Sequence, residues 1–127
     1  MKKSLVMKNV EIYGIASSIL EVFPNDIMLP VKVNFYLQKN IKNIVDMAQE
    51  LDAEKIKIFD KYGKKDEENG QYVFEPEAID AANEELRDLF ELEQEVIYTE
   101  LDLDWFDNIE LTSQQLSAIT YMFNEKE

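Results

Sequence analysis

The feature that most constrains the fold is a segment from residue 31 to residue 62 that contains neither glycine nor proline. Pro30 precedes it and Gly63 follows it, and these residue types are favoured at the first turn and just past the last turn of a helix. Apolar residues recur along the segment at alternating spacings of four and three, with only Lys55 breaking the series. The pattern predicts one long helix with a heptad seam. The seam residues are Leu37, Ile41, Ile44, Ala48, Leu51, Ile58 and Tyr62.

A second helical pattern runs from about residue 75 to residue 93, with Pro76 near its start. Its apolar stripe consists of Ile79, Ala82, Leu86, Leu89 and Phe90. Two long helices joined by a short connection pack antiparallel, so we expect an αα-hairpin over about residues 30–95. The seam could instead form a coiled coil with another chain, but pairing within one chain is the simpler explanation.

The segments on either side of the hairpin contain the predicted strands. Residues 4–13 predict a strand that ends at Gly14, with Val6, Val10 and Ile12 on one face. A short helix over residues 15–23 should follow. Its apolar face is Ile15, Ile19, Leu20 and Phe23, and Pro24 ends it in a turn.

The region after the hairpin changes from helical to alternating periodicity. Ile97, Leu101 and Leu103 alternate with polar residues, which predicts a strand over residues 95–105 that pairs with the N-terminal strand. Thr112 and Gln115 have the spacing of a capping box and predict a final helix. Its buried stripe would be Leu116, Ile119, Met122 and Phe123.

These elements predict a single α+β domain over residues 1–127, mostly helical. The hairpin of about residues 30–95 would carry a small β-hairpin at its tip. Residues of about 1–29 and 96–127 would form its base, a short antiparallel sheet and the C-terminal helix.

Composition limits the chemistry. The chain of 127 residues has no cysteine and no histidine, which excludes thiol catalysis, cysteine-ligated zinc and a histidine base. Its formal net charge of −14 disfavours direct binding to nucleic acid and suits either solubility or a basic protein partner. No apolar segment is long enough for a membrane span or a secretory signal, so no membrane association is expected.

The acidic segment "DEENGQYVFEPE", residues 66–77, has the length and flanking helices of an EF-hand loop. Calcium loops need oxygen ligands at the first, third and fifth positions and glycine at the sixth. Here Gly70 occupies the fifth position, and bulky apolar residues occupy the seventh to ninth. The segment therefore predicts no calcium site, and no cofactor or metal is expected elsewhere.

The pair Asn69-Gly70 is instead typical of a two-residue type I′ turn between two short strands. Tyr72 and Phe74 would then point to one face and Val73 to the other. The two aromatic side chains could pack back on the helix ends or remain exposed as a contact surface for a partner.

A second acidic cluster contains two adjacent aromatic residues. Asp102, Asp104, Asp107 and Glu110 could surround a divalent ion, but their alternation with apolar residues favours a solvated strand edge and turn. Trp105 and Phe106 would place one ring inside and the other at the surface. Because tryptophan is enriched at binding hot spots, this pair is a second candidate partner contact.

The second helix carries many carboxylates at helical spacing, which we interpret as a solvent-exposed acidic face. These residues are Glu84, Glu85, Asp88, Glu91 and Glu95. No phosphate-binding glycine loop and no nucleophile paired with a base is visible. The sequence therefore gives no support for an enzyme.

The order of the segments "MKNVEIYG", "LPVKVNFYLQKNIKNI", "KYGKKDEENGQYVF", "ELEQEVIYTELDL" and "NIELTSQQLSAITYMF" resembles a family of small acidic proteins of uncharacterised function. Tailed phages and prophages of Gram-positive bacteria encode this family. The resemblance covers nearly the whole chain, and the family has no active-site assignment to transfer. It implies a phage protein that acts in the bacterial host cytoplasm during infection or lysogeny, or within the virion.

Two functions remain as hypotheses. The first is a non-enzymatic protein–protein interaction module with an accessory or assembly role, which binds through the hairpin tip or the Trp105 region. The second is an acidic anti-defence inhibitor that imitates DNA and blocks a host nuclease or another nucleic-acid-binding protein. Evenly spaced carboxylates on one face would favour the second. A carboxylate-based metal enzyme has the least support.

Overall fold

A computed structural model describes residues 2–23 and 28–123, and this part of the chain is mostly helical with small antiparallel sheets. The predicted α+β class is therefore confirmed. The α-helices are α1 (Asn9–Val22), α2 (Val31–Tyr62), α3 (Pro76–Glu91) and α4 (Ser113–Ile119).

The longest element is α2, and it begins directly after Pro30 as predicted. Leu37, Ile44 and Leu51 of its seam are buried, whereas Ile41 and Ile58 are half-buried. The sequence predicted that α2 packs against α3. In the structure, α2 packs chiefly against α1, and also against α3 and the strand β4 (Glu93–Thr99).

The N-terminal strand is shorter than predicted. Strand β1 spans Lys2–Lys8, and helix α1 begins at Asn9, so Gly14 lies inside a helix instead of ending a strand. The backbone N–H of Lys8 donates to the Glu11 side chain at 3.2 Å, which caps this helix start. Helical spacing of the buried residues Ile12, Ala16 and Ile19 therefore overrides the β-propensity of this region.

The predicted faces of this region are partly wrong. Val6 and Val10 are exposed, because Met7 is the strand residue that points into the core. Of the predicted helical face, Ile19 on α1 and Phe23 just after it are buried as predicted, but Leu20 is exposed. The turn predicted at Pro24 lies outside the described residues.

The two predicted terminal strands do pair. β1 and β4 form an antiparallel sheet in which Lys2 lies opposite Thr99 and Lys8 opposite Glu93. β4 faces inward through Val96, and Ile97 is exposed, so the predicted inward position of Ile97 is wrong, whereas Leu101 is buried as predicted. Thr99 anchors the strand to α2, because its N–H donates to the Asn40 side chain and its carbonyl accepts from that side chain.

The strand also ends earlier than predicted. Leu103–Phe106 form a turn of 3-10 helix, which the Asp102 carboxylate caps by accepting from the N–H of Asp104 at 2.9 Å. Leu101 is fully buried and forms an isolated bridge with Phe123. The acidic residues of this region therefore lie in a helical turn and the loop after it, not along a strand edge.

The segment between α2 and α3 contains the strands β2 (Gly63–Lys65) and β3 (Tyr72–Phe74), which pair antiparallel. The predicted type I′ turn is wrong, because only Gly70 has a positive φ, of 72°, and Asn69 does not. The N–H of Gly70 instead donates to the carbonyl of Asp66 at 2.8 Å, which closes a longer loop. Asp66 and Asn69 side chains accept backbone N–H groups two residues later and stabilise that loop.

The C-terminal segment closes the core. The capping box of Thr112 and Gln115 is confirmed, with both hydrogen bonds at 3.0 Å. Ile119 and Met122 are fully buried against the helices, whereas Leu116 of the predicted stripe is exposed.

Candidate functional site

An aromatic stack connects the start of α2 to the 3-10 turn after β4. Trp105 stacks on Tyr36 with ring centres 5.7 Å apart, and Phe35 contacts Tyr36 edge-on at 5.2 Å. The Lys32 ammonium lies 4.4 Å from the centre of the Trp105 ring. The stack positions a half-buried tryptophan between two elements that are distant in sequence.

Three large apolar side chains at or just before the start of α2, where the stack lies, are open to solvent. Met28 is 92% exposed, Val31 is 87% exposed and Phe35 is 60% exposed. Val31 and Phe35 are four residues apart and therefore lie on the same face of α2. We call Met28, Val31, Phe35, Tyr36 and Trp105 the Trp105 surface. Contiguous exposed apolar groups of this kind are typical of binding surfaces.

Beside the Trp105 surface lies an open pocket of about 350 Å³. Met28, Pro30 and Trp105 supply apolar walls, and Asp107 and Glu110 supply exposed carboxylates. Because the Lys32 ammonium already lies over the Trp105 ring, the carboxylates are the groups of this pocket that would receive a lysine or arginine side chain.

The two aromatic residues predicted as a pair have different environments. Trp105 belongs to the Trp105 surface, whereas Phe106 packs edge-on against Phe123 with ring centres 5.0 Å apart. Both rings are half-buried, so the predicted division into one inside and one outside is wrong.

In the paired strands β2 and β3 with the loop between them, which we call the tip, Tyr72 and Phe74 contact the same ring of α2. Their ring centres lie 5.4 and 5.8 Å from that of Phe59. The Tyr72 hydroxyl donates to the Asp60 carboxylate at 2.5 Å, and this bond raises the pKa of Tyr72. Val73 points away and is exposed. The tip aromatics are therefore turned toward their own helix, with Val73 as the outward apolar residue.

The two predicted aromatic contacts are far apart. The tip packs on Phe59, and the Trp105 surface packs on Tyr36, near the other end of the same helix. At 1.5 Å of rise per residue, these positions are about 35 Å apart along α2. The structure therefore offers two separate surfaces and not one combined site.

The acidic face of α3 differs from the predicted set in two ways. Glu95 lies on β4 opposite Val6, because α3 ends at Glu91. Glu85 is partly buried and bonds to the Lys61 ammonium at 2.8 Å, which lowers the pKa of Glu85. The exposed carboxylates of α3 instead recur at spacings of three and four. They are Glu77, Asp80, Glu84, Asp88 and Glu91.

A groove lies between the inner face of the β1–β4 sheet and α4, with a volume of about 710 Å³. We call it the Tyr121 groove, and its apolar walls come from Leu5, Tyr98, Leu116, Tyr121 and Phe123. The Tyr98 and Tyr121 rings meet edge-on at 5.5 Å.

The hydroxyl of Tyr121 is buried and has no hydrogen-bond partner within the described part of the chain. Its burial, with a smaller contribution from Tyr98, raises the pKa of Tyr121 far above the usual value. A buried hydroxyl without a partner carries a desolvation cost.

No group of three or more acidic residues in residues 2–23 and 28–123 is arranged to hold a metal ion. Across the same residues, no helix combines the length and the apolarity that crossing a membrane requires.

Sequence reasoning found Trp105 but missed its neighbours. Val31 and Phe35 lie off the heptad seam, so a signal did exist: apolar residues four apart on the polar side of a helix. Tyr121 gave no signal, because its position in the final helix resembles an ordinary half-buried tyrosine.

In comparisons with known proteins, the chain matches no family model, no curated protein and no solved structure at a significant level.

Proposed function

We propose that this protein is a non-enzymatic interaction module that binds a basic segment of a partner protein on the Trp105 surface. The observation that carries the proposal is the exposure of Met28, Val31 and Phe35 around a tryptophan that is already held in place by Tyr36. Interface hot spots combine a positioned aromatic anchor with surrounding apolar contacts in this way.

Charge supports a basic partner. The pocket next to Trp105 contains Asp107 and Glu110, and the chain as a whole has a net charge of −14. This field attracts cationic segments and accelerates their association. The aromatic and apolar contacts would then hold the segment after the encounter.

The resemblance to phage and prophage proteins supplies the proposed setting, which is an accessory or assembly role in a bacterial host or a virion. The experiment that tests the proposed function is an affinity capture from a Gram-positive bacterium infected with a tailed phage. The bait is the full chain, compared with the variants Val31→Ser and Phe35→Ser. Leu20→Ser on α1 is the matched control, because Leu20 is a similarly exposed apolar side chain.

We expect the wild-type chain and Leu20→Ser to recover the same partner, and the two α2 variants to lose it. All four proteins should melt at similar temperatures, since the changed side chains are exposed. Retention of the partner by Phe35→Ser would overturn the proposal.

A second function has its own observation in support: the row of exposed carboxylates along α3, from Glu77 to Glu91. Evenly spaced negative charges on one face could imitate a phosphate backbone and occupy a nucleic-acid-binding protein. If this second function is correct, the double variant Asp88→Asn, Glu91→Gln should fail to capture the partner. The control pair Glu67→Gln with Glu68→Gln removes the same charge at the hairpin tip and should not.

Salt separates the two functions as well. A contact made mainly by α3 carboxylates should weaken steeply as the salt concentration rises. A contact made mainly by the Trp105 surface should persist, because apolar burial is not screened.

A further inference from the structure

The outer edge of β1 has unpaired backbone groups. The N–H of Asn9 bonds to the carbonyl of Leu92, and antiparallel ladders alternate, so Lys3, Leu5 and Met7 bond to β4. The N–H and carbonyl groups of Lys2, Ser4 and Val6 therefore point away from the sheet. No backbone hydrogen bond from these residues reaches another element within residues 2–23 and 28–123.

The opposite edge of this sheet is covered at residues 97–99. Asn40 bonds to both backbone groups of Thr99, and Asn43 donates to the carbonyl of Ile97 at 2.7 Å. The fold thus covers the β4 edge with asparagine side chains and leaves the β1 edge open. An open edge is a template for another strand.

The Tyr121 groove lies on the face of the sheet where a strand added to β1 would place alternate side chains. Leu5 belongs to β1 and lines the groove, so a side chain beside Leu5 would enter at its mouth. The Tyr121 ring lines the same groove, and its hydroxyl is buried. Strand addition combines backbone hydrogen bonds with a side-chain pocket in the same way.

We propose that β1 is a docking strand for an extended segment of another protein in which acidic and apolar residues alternate. Lys2 and Lys8 of β1 form a local positive strip on the face opposite Leu5, whereas Lys3, on the groove face, pairs with Glu100 at 3.7 Å. This strip selects an acidic segment, in contrast to the basic segment proposed for the Trp105 surface. An apolar side chain of the docked segment fills the Tyr121 groove.

Charge disfavours a second copy of this chain as the occupant. Two β1 strands paired antiparallel about Leu5 would place Lys2 of one copy opposite Lys8 of the other. Like charges directly opposite each other destabilise a sheet.

The test is a selection from a displayed library of random twelve-residue peptides against the full chain. Val6→Pro removes an outward N–H but no ladder hydrogen bond to β4, so the sheet should persist. Val6→Thr is its control, because it alters the side chain and keeps the N–H. We expect the selected peptides to alternate acidic and apolar residues and to bind Val6→Pro about tenfold more weakly than Val6→Thr, the loss that one hydrogen bond can cause.

Two further measurements keep the result decisive if Val6→Pro fails to fold. Methylation of alternate peptide nitrogens should abolish binding to the wild-type chain, and Leu116→Ser, which makes an exposed apolar wall of the Tyr121 groove polar, should weaken it several-fold. Peptides that bind without discriminating Val6→Pro from Val6→Thr, or that tolerate every methylation pattern, would overturn the proposal. If the wild-type chain dimerises and the Val6→Pro variant does not, the β1 edge binds a second copy of the chain, and the proposal is overturned.

Discussion

Asn40 and Thr99 exchange two hydrogen bonds across the core. The side-chain amide of Asn40 donates to the carbonyl of Thr99 at 2.8 Å, and the N–H of Thr99 donates to the Asn40 side-chain oxygen at 2.7 Å. Both residues are buried, so no water can replace these bonds. The pairing anchors the end of β4 to α2.

Replacing Asn40 should therefore be costly. Asn40→Ala leaves the N–H and the carbonyl of Thr99 buried without partners, and we expect a loss of about 3 kcal/mol in the free energy of unfolding. Asn43→Ala is the control, since Asn43 makes a single bond at a more exposed position and should cost about 1 kcal/mol. Urea unfolding followed by circular dichroism measures both values. Equal losses in the two variants would contradict the claim that the buried Asn40–Thr99 bonds stabilise the fold more than the single bond of Asn43.

Removing the Tyr121 hydroxyl should stabilise the free protein. The oxygen is buried without a hydrogen bond from the described residues, so Tyr121→Phe removes a desolvation cost of about 1 kcal/mol and should raise the melting temperature by about 4 °C. Tyr13→Phe should act in the opposite direction, because the Tyr13 hydroxyl donates to Asp52 at 2.6 Å. Thermal melts of the two variants check the contrast, and a destabilised Tyr121→Phe protein would contradict it.

Alkaline pH should destabilise the protein through the same tyrosine. Burial raises the pKa of Tyr121 above the ordinary tyrosine value of 10.0, so the folded state keeps the proton after the unfolded state has lost it. This contribution to stability is fully present below pH 10 and declines as the pH rises toward the folded-state pKa. Unfolding free energies measured from about pH 9 upward should fall, and less steeply in Tyr121→Phe. A variant with an unchanged slope would contradict this cause.

Two glycines should respond in opposite ways to alanine. A Cβ at Gly63 would lie 2.7 Å from the Phe74 ring, so Gly63→Ala should displace that ring from Phe59 and destabilise the hairpin tip. Gly14 lies in α1, and a Cβ added there would meet nothing within 4 Å, so Gly14→Ala should stabilise the helix by about 0.5–1 kcal/mol. Thermal melts measure both signs, and nuclear Overhauser contacts between Phe59 and Phe74 report the local change.

The sequence predicted the elements whose signals are long or chemically specific. Residues 31–62 form one helix because the spacing of apolar residues is regular over many turns and Pro30 and Gly63 mark its ends. The Thr112–Gln115 capping box was equally readable, since each side chain bonds to the other residue's backbone.

Predictions failed where a tertiary contact decided between local alternatives. Val6 and Met7 are both acceptable inward residues of a strand, and only the packing of β1 on the core selects Met7. Asn69-Gly70 favours a type I′ turn in isolation, but Asp66 bonds across the loop and selects a longer one. The Trp105 surface depends on Tyr36, a residue that the heptad pattern does not include.

The most direct test of the proposed function uses the fact that Trp105 is the only tryptophan in the chain. Biosynthetic labelling with fluorotryptophan gives a single fluorine resonance, which reports the Trp105 surface alone. Adding the partner recovered by affinity capture should shift or broaden this resonance until the protein is saturated, and Phe35→Ser should prevent the change. An unchanged resonance in a saturated complex would contradict the proposal that the partner binds at the Trp105 surface.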